Sequence, residues 1–274
     1  MQKITDNVYV DTELWGANVG FVVTKEGVVM IDTPQYPIDA LRWRDEVAKY
    51  GPVRHIIYTE PHADHWSGGY FFKGTVIAHE GTREAILAST VKQFKERLRA
   101  GSPESLPLTP AGFHFRPPTV TLSQRLTLYS GDHTFQLINH PGHTPYQVAV
   151  YIPEERVVFT SDNIFHKVKT YLQAALPYEW LDSLKRLEEL DVDMLVPGHG
   201  TICDKSYIPG QAAIIQGWID VVTTAIKQGM SLEEAQEKLA DIDPDPNTSI
   251  NSIVAKRQDI QHSAVKRLYE VLKE

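Results

Sequence analysis

At 274 residues, 42% of them hydrophobic and 23% charged, the chain is long enough to bury a sizeable core within one large α/β domain. Its 35 acidic residues outnumber 27 basic ones, and the resulting net charge of −8 disfavours nucleic acid as a partner. The single cysteine, Cys203, excludes an internal disulfide and a cysteine zinc cluster. No signal peptide is expected from the opening MQKITDNVYVDTELWG, no run approaches roughly 20 apolar residues, and a cytoplasmic protein without membrane attachment is the expectation.

Short β-like runs open the chain: NVYV (7–10), ANVGFVVT (17–24) and GVVMID (27–32), with Lys25-Glu26-Gly27 as a hairpin signal. Helical spacing over 38–50 stops at Gly51-Pro52. RHIIYT (54–59) then reads as a strand leading into YTEPHADHWSGG (58–69). A strand TVIAH (75–79) precedes a predicted helix from Gly81 to about Arg99. The proline-rich stretch 101–118 reads as a long loop, a common form for lids and binding loops. Strand-like runs resume in TVTLS, RLTLYS, HTFQLINH, YQVAVYI and RVVFTSD; a helix is expected at about 178–190 before DMLVPGHG. From Ser206 onward the pattern is helical, interrupted by DIDPDPNTS (241–249). Two blocks of strands with flanking helices suit two sheets packed face to face, helices outside.

Ligand-type residues recur where apolar strands end. RHIIYT delivers Glu60, His62, Asp64 and His65; FQLIN delivers His140 and His143; RVVFTS ends at Asp162; DMLVP ends at His199. Strand ends along one sheet edge lie close together, and glycines beside His143 and His199 would let the backbone turn the imidazoles inward. Imidazole and carboxylate without thiolate suit zinc, iron or manganese, and a compact His-x-Asp-His loop can divide its ligands between two ions. His79, His114, His133, His166 and His262 lack ligand spacing, and only His166 is expected near the site. Cys203 has no matched base and reads as a small hydrophobe.

The loop resembles the His-x-His-x-Asp-His signature of the metallo-β-lactamase superfamily. PGHT, the Ser-Asp after a strand and VPGHG follow in that family's order, so the likeness covers residues 1 to about 204. It implies an α/β fold, a four-layer αββα sandwich, as a single domain over 1–274 with a helical C-terminal elaboration at about 205–274. It implies a dinuclear site: Glu60, His62 and His143 for one ion, Asp64, His65 and His199 for the other, Asp162 bridging. Asp32 would orient ligands. The bridging aspartate is closer to the glyoxalase II and lactonase-like branches than to true β-lactamases.

Glu60 stands where the family has its first histidine. It would be a ligand, point away, or act as a general base; ligation is the preferred reading. Three carboxylates, two divalent ions and a bridging hydroxide sum to zero charge, against +1 for the usual set. Such a centre should acidify water less and lean towards iron or manganese, with zinc still the first expectation. The expected function is a metal-dependent hydrolase that uses a metal-bound hydroxide on an ester, thioester or lactone of a small molecule, some with an apolar acyl part. Asp64 or a metal-bound water is the candidate to protonate the leaving group. The aromatics Trp15, Trp66 and Phe113 are expected to contact substrate. The alternatives are an iron-dependent, dioxygenase-like redox enzyme and a non-catalytic binding member.

Overall fold

The computed structural model describes residues 1–250 and 257–273. Its first sheet has seven strands in sequence order: β1 (Gln2–Lys3), β2 (Val8–Asp11), β3 (Val19–Thr24), β4 (Gly27–Ile31), β5 (Val53–Ile57), β6 (Thr75–His79) and β7 (Val120–Leu122). β1 to β4 pair antiparallel and β4 to β7 parallel, the latter joined by helical crossovers. The second sheet contains β8 (Arg125–Ser130), β9 (His133–Asn139), β10 (Val148–Ile152), β11 (Val157–His166) and β12 (Met194–Gly200), in the order β12-β11-β10-β9-β8.

Between the sheets lies a layer of buried β-branched and aromatic residues, among them Val10, Val22, Ile57, Phe135, Val150 and Val196. Such residues fit a pleated surface, and each contributes about 1.5–3 kcal/mol on full burial. α1 (Pro37–Val47) and α2 (Glu80–Ala88) cover the outer face of the first sheet through Ala40, Trp43, Val47 and Ile86. α4 (Pro177–Glu188), α5 (Ile208–Lys227) and α7 (Arg257–Lys273) cover the second sheet through Trp180, Leu184, Ile215, Trp218 and Leu268. The four layers are therefore α, β, β, α. The C-terminal helices, with the short α6 (Leu232–Lys238), supply much of one outer layer rather than an appendage to it.

The helix expected from Gly81 to about Arg99 is two helices. Ser89 and Thr90 are extended, and the Thr90 hydroxyl accepts the Gln93 N–H at 3.3 Å to cap α3 (Val91–Gly101). The 101–118 stretch is fixed to the body. It carries a 3₁₀ segment, Pro103–Leu108, and Arg116 donates to the carbonyls of Phe72 and Gly74, both at 2.6 Å. β11 does not end at Asp162 but runs on to His166, with register shifts against β12 around Ser161. At that irregularity Ser161 adopts φ 51°.

Candidate metal centre

The edge formed by the ends of β4, β5 and β9 and the irregular part of β11–β12 gathers the ligand-type residues. Main-chain bonds join the two sheets there: Val148 N–H donates to the Thr59 carbonyl at 2.7 Å, and Asn18 N–H to the Gly198 carbonyl at 2.7 Å. Below the ligands lies a buried anchor. Asp32, at φ 57°, accepts the Thr59 N–H at 2.8 Å and the Thr59 hydroxyl at 2.6 Å. That hydroxyl also lies 2.7 Å from Ser161 Oγ, so one threonine ties together two residues in left-handed backbone. Such conformations cost of order 1–3 kcal/mol and persist where the surroundings impose them.

Asp32 Oδ2 lies 2.8 Å from His65 Nδ1, which leaves His65 Nε2 facing the site. There it meets Asp162 Oδ1 at 3.3 Å and Glu60 Oε1 at 3.4 Å. Asp162 turns its other oxygen to His199 Nε2 at 3.3 Å and His143 Nε2 at 3.6 Å. His143 Nδ1 donates to the Tyr171 carbonyl at 2.6 Å, and its N–H to Asn163 Oδ1 at 3.0 Å. His199 stacks on Phe165 with ring centres 5.3 Å apart and lies 3.3 Å from Asp64 Oδ2. Gly198 is required by close approach, not by a turn: a Cβ there would lie 1.9 Å from Asp162 Oδ1.

Glu60 is fully buried and points into the site. Its Oε1 accepts the His62 N–H at 2.9 Å and lies 2.7 Å from His62 Nδ1; Gln147 donates to Oε2 at 3.3 Å. The alternative in which it points away is thereby overturned. Among the described residues, Glu60, His62, His143 and Asp162 form one group and Asp64, His65 and His199 another, each with its ligand atoms within 4.8 Å of one another. The donors fit cations. His65 Nε2 and Asp162 Oδ1 are buried without a hydrogen bond of good geometry, a cost of about 1–3 kcal/mol per group that coordination would remove.

The electrostatics agree. Burial works against charged imidazoles, yet the carboxylates outweigh it: Glu60 holds His62 up at about 9, and Asp162 holds His199 up at about 10. Burial and the adjacent His62 depress His143, against the pull of Asp162 and Glu60. Asp64 and Asp162 are depressed despite burial by neighbouring imidazoles.

A cavity of about 240 Å³ opens onto these ligands, walled by His62, Asp64, Asp162, Tyr171, Arg97 and Trp15 among others. Trp15 is thus where expected. Trp66 and Phe113 are not. Trp66 turns its ring behind the loop, donating to the Pro61 carbonyl at 2.9 Å and packing edge-on against Phe115. Phe113 is buried in a cluster with Phe94, Leu98 and Tyr36. His140 is buried beside the ligands, its carbonyl accepting from the Asn163 amide that also holds His143, and burial pushes its pKa down to about 3. His166 bonds the Thr201 carbonyl and lies outside the cavity wall. Burial raises the Cys203 thiol to about 12, which fits its inert assignment. The cavity residues Gln35, Tyr36, Arg97 and Gln173 belong to no motif, and only their placement reveals them.

Residues 12–199 match the family model described as the metallo-beta-lactamase superfamily. The chain is 30% identical over 181 residues to the 2,4-dinitroanisole O-demethylase subunit alpha of Nocardioides sp. (strain JS1661), covering 63% of this chain and 49% of that one. It is 34% identical over 74 residues to the hydroxyacylglutathione hydrolase of Bartonella quintana (strain Toulouse), 27% of this chain and 29% of that one. It thus spans about half the length, or less, of these curated relatives. Among solved structures, the metallo-beta-lactamase family protein TTHA1429 from Thermus thermophilus superposes with TM-score 0.70 at 17% identity, covering 99% of this chain and 95% of that one. The inverting sec-alkylsulfatase Pisa1 from Pseudomonas sp. gives 0.72 at 16% identity, covering 97% and 49%.

Proposed function

The chain belongs to the metallo-beta-lactamase superfamily, and on that premise we propose that it is a metal-dependent hydrolase of small-molecule esters, thioesters or lactones. The observation that carries the reading is the Asp162 carboxylate, whose two oxygens face ligand atoms of both groups. Two divalent ions held there, zinc first with iron or manganese as alternatives, would activate water and polarise a carbonyl at neutral pH. Glu60, His62 and His143 would hold one ion and Asp64, His65 and His199 the other, with Asp162 shared. Gln147 and the His62 N–H fix the Glu60 carboxylate, and the Tyr171 carbonyl fixes His143 through Nδ1. Tyr171 lines the cavity and its hydroxyl has no hydrogen-bond partner among the described residues, and we assign it as a donor to a substrate oxygen gaining charge. Asp64, an ionised carboxylate, also lines the cavity, and we assign it to accept a proton from the attacking water and pass it to the leaving group.

The hydroxyacylglutathione hydrolases among the relatives support thioesters as one substrate class. The third carboxylate, Glu60, favours a second reading, an iron-dependent redox enzyme, because added carboxylate suits oxygen-preferring ions. A degenerate binding member is disfavoured by the convergence of three carboxylates and four imidazoles, five of these residues buried, into two adjoining groups. No helix among the described residues is long and apolar enough to cross a membrane, and the cytoplasm is the proposed setting.

Elemental analysis of protein prepared with limiting zinc, iron and manganese tests this, combined with turnover of p-nitrophenyl acetate, an acyl thioester, a lactone and 2,4-dinitroanisole. Zinc or manganese with hydrolysis supports the hydrolase. Iron with oxygen uptake and no hydrolysis overturns it in favour of the redox enzyme, and no bound metal leaves only a binding role.

A further inference from the structure

The cavity wall contains a cation that the ligand chemistry does not use. Arg97 lines the cavity together with His62, Asp64, His143, Asp162 and His199. It also lines an adjoining groove with Gln35, Tyr36, Gln93, Glu96 and Ala100, so it stands where the two spaces meet. Among the described residues its guanidinium makes no ion pair or hydrogen bond. The register of α3 sets this position. Phe94 and Leu98 bury one face, and Arg97 stands beside that face. The end of the helix is pressed against Tyr36, for a Cβ at Gly101 would lie 2.6 Å from the Tyr36 hydroxyl. Lys92, Lys95 and Arg99 on the same helix line neither space.

An exposed arginine is ordinarily a solvated surface residue. Among the described residues Arg97 is the only Lys or Arg on the cavity wall, which it shares with a ligand set whose three carboxylates would offset most of the charge of two divalent ions. That centre has little charge left to hold an anion, whereas a guanidinium binds a carboxylate through two parallel N–H donors. We propose that Arg97 is a specificity-determining residue that selects substrates bearing an anionic group, a carboxylate in the first instance, on the side remote from the bond cleaved. This rests on the hydrolase reading for the identity of that bond, but not for the binding of the anion.

The test uses a matched pair, 4-acetoxybenzoate and its methyl ester, with metal-loaded wild type, Arg97→Gln and Arg97→Lys. Wild type should favour the acid about tenfold in kcat/KM, as expected for one charge-assisted bond near solvent. Arg97→Gln should reduce that ratio to about one through KM, and Arg97→Lys should restore part of it. A ratio that persists in Arg97→Gln, or an equal loss for both esters, overturns the proposal. If wild type cleaves neither ester, the hydrolase reading has failed for such substrates, and calorimetry with 4-hydroxybenzoate against its methyl ester decides on Arg97 alone. Affinity for the acid should then fall about tenfold in Arg97→Gln; equal affinity overturns the assignment.

Discussion

His65 receives its orientation from Asp32: Nδ1 and Oδ2 are 2.8 Å apart, both buried, and the aspartate is held at φ 57°. The carboxylate accepts the Nδ1 proton and so keeps the Nε2 lone pair on the ligand side. Asparagine tolerates left-handed backbone at least as well as aspartate, so Asp32→Asn should fold. It should weaken metal retention by about 10–100-fold. Competition with a chromophoric chelator measures this; unchanged affinity would show that the pair serves folding alone.

For Glu60, removal of the carboxylate should empty one half of the site. Glu60→Ala is expected to carry close to one metal per chain, and Glu60→His to restore two with a more positive centre. Metal content per chain distinguishes this from a general-base role, in which Glu60→Ala would keep both ions and lose turnover.

Tyr171 offers a sharper test of the cavity. Its hydroxyl is buried without a partner, and burial together with Asp64 and Asp162 raises it to about 12, so it remains a donor across neutral pH. Tyr171→Phe should lower kcat by about 10–100-fold, at or below the range for loss of one oxyanion donor. Stability should hold or rise, since an unpaired buried polar group is removed. A thermal melt and steady-state kinetics on the same preparation check both halves.

His140 predicts the acid limb of stability. Burial lowers its pKa to about 3, so in acid the unfolded chain, with an ordinary histidine, binds a proton that the folded chain refuses. Stability from the neutral ring is complete above about pH 6.5 and declines as pH falls towards 3. Between pH 7 and pH 5 the loss is about 2 kcal/mol. Denaturant unfolding at both pH values should therefore show a smaller difference in His140→Gln than in wild type.

The ligand set is legible in the sequence because its chemistry is local. Carboxylates and imidazoles directly after apolar runs have few structural uses, and the strand edge brings them together whatever the details of packing. Side-chain direction is not legible. Trp66 follows His65 by one residue, and in a tight turn that step sends the indole to the opposite side. Phe113 reads as a loop aromatic, yet it plugs a cluster formed by α3. Arg97 lies in an ordinary amphipathic helix whose register against the cavity is set by Tyr36, far earlier in the chain. Asp162 reads as a strand end, whereas a mid-strand irregularity turns it inward, a geometry that composition does not encode.

His143 depends on a more distant part of the chain than its neighbours do. The segment that offers it the Tyr171 carbonyl is gripped from outside: Lys169 reaches Asp243 and the Asp245 carbonyl, and Thr170 N–H donates to Asp245 at 2.7 Å. The Lys169 and Asp243 side chains are both buried, so loss of Asp243 leaves the Lys169 charge unmatched. A nick within 241–249 would therefore reach the catalyst before it reached the sandwich. The sheets would keep their shape while one ion's affinity fell. Metal content would then report on the intactness of a segment that touches none of the ligands.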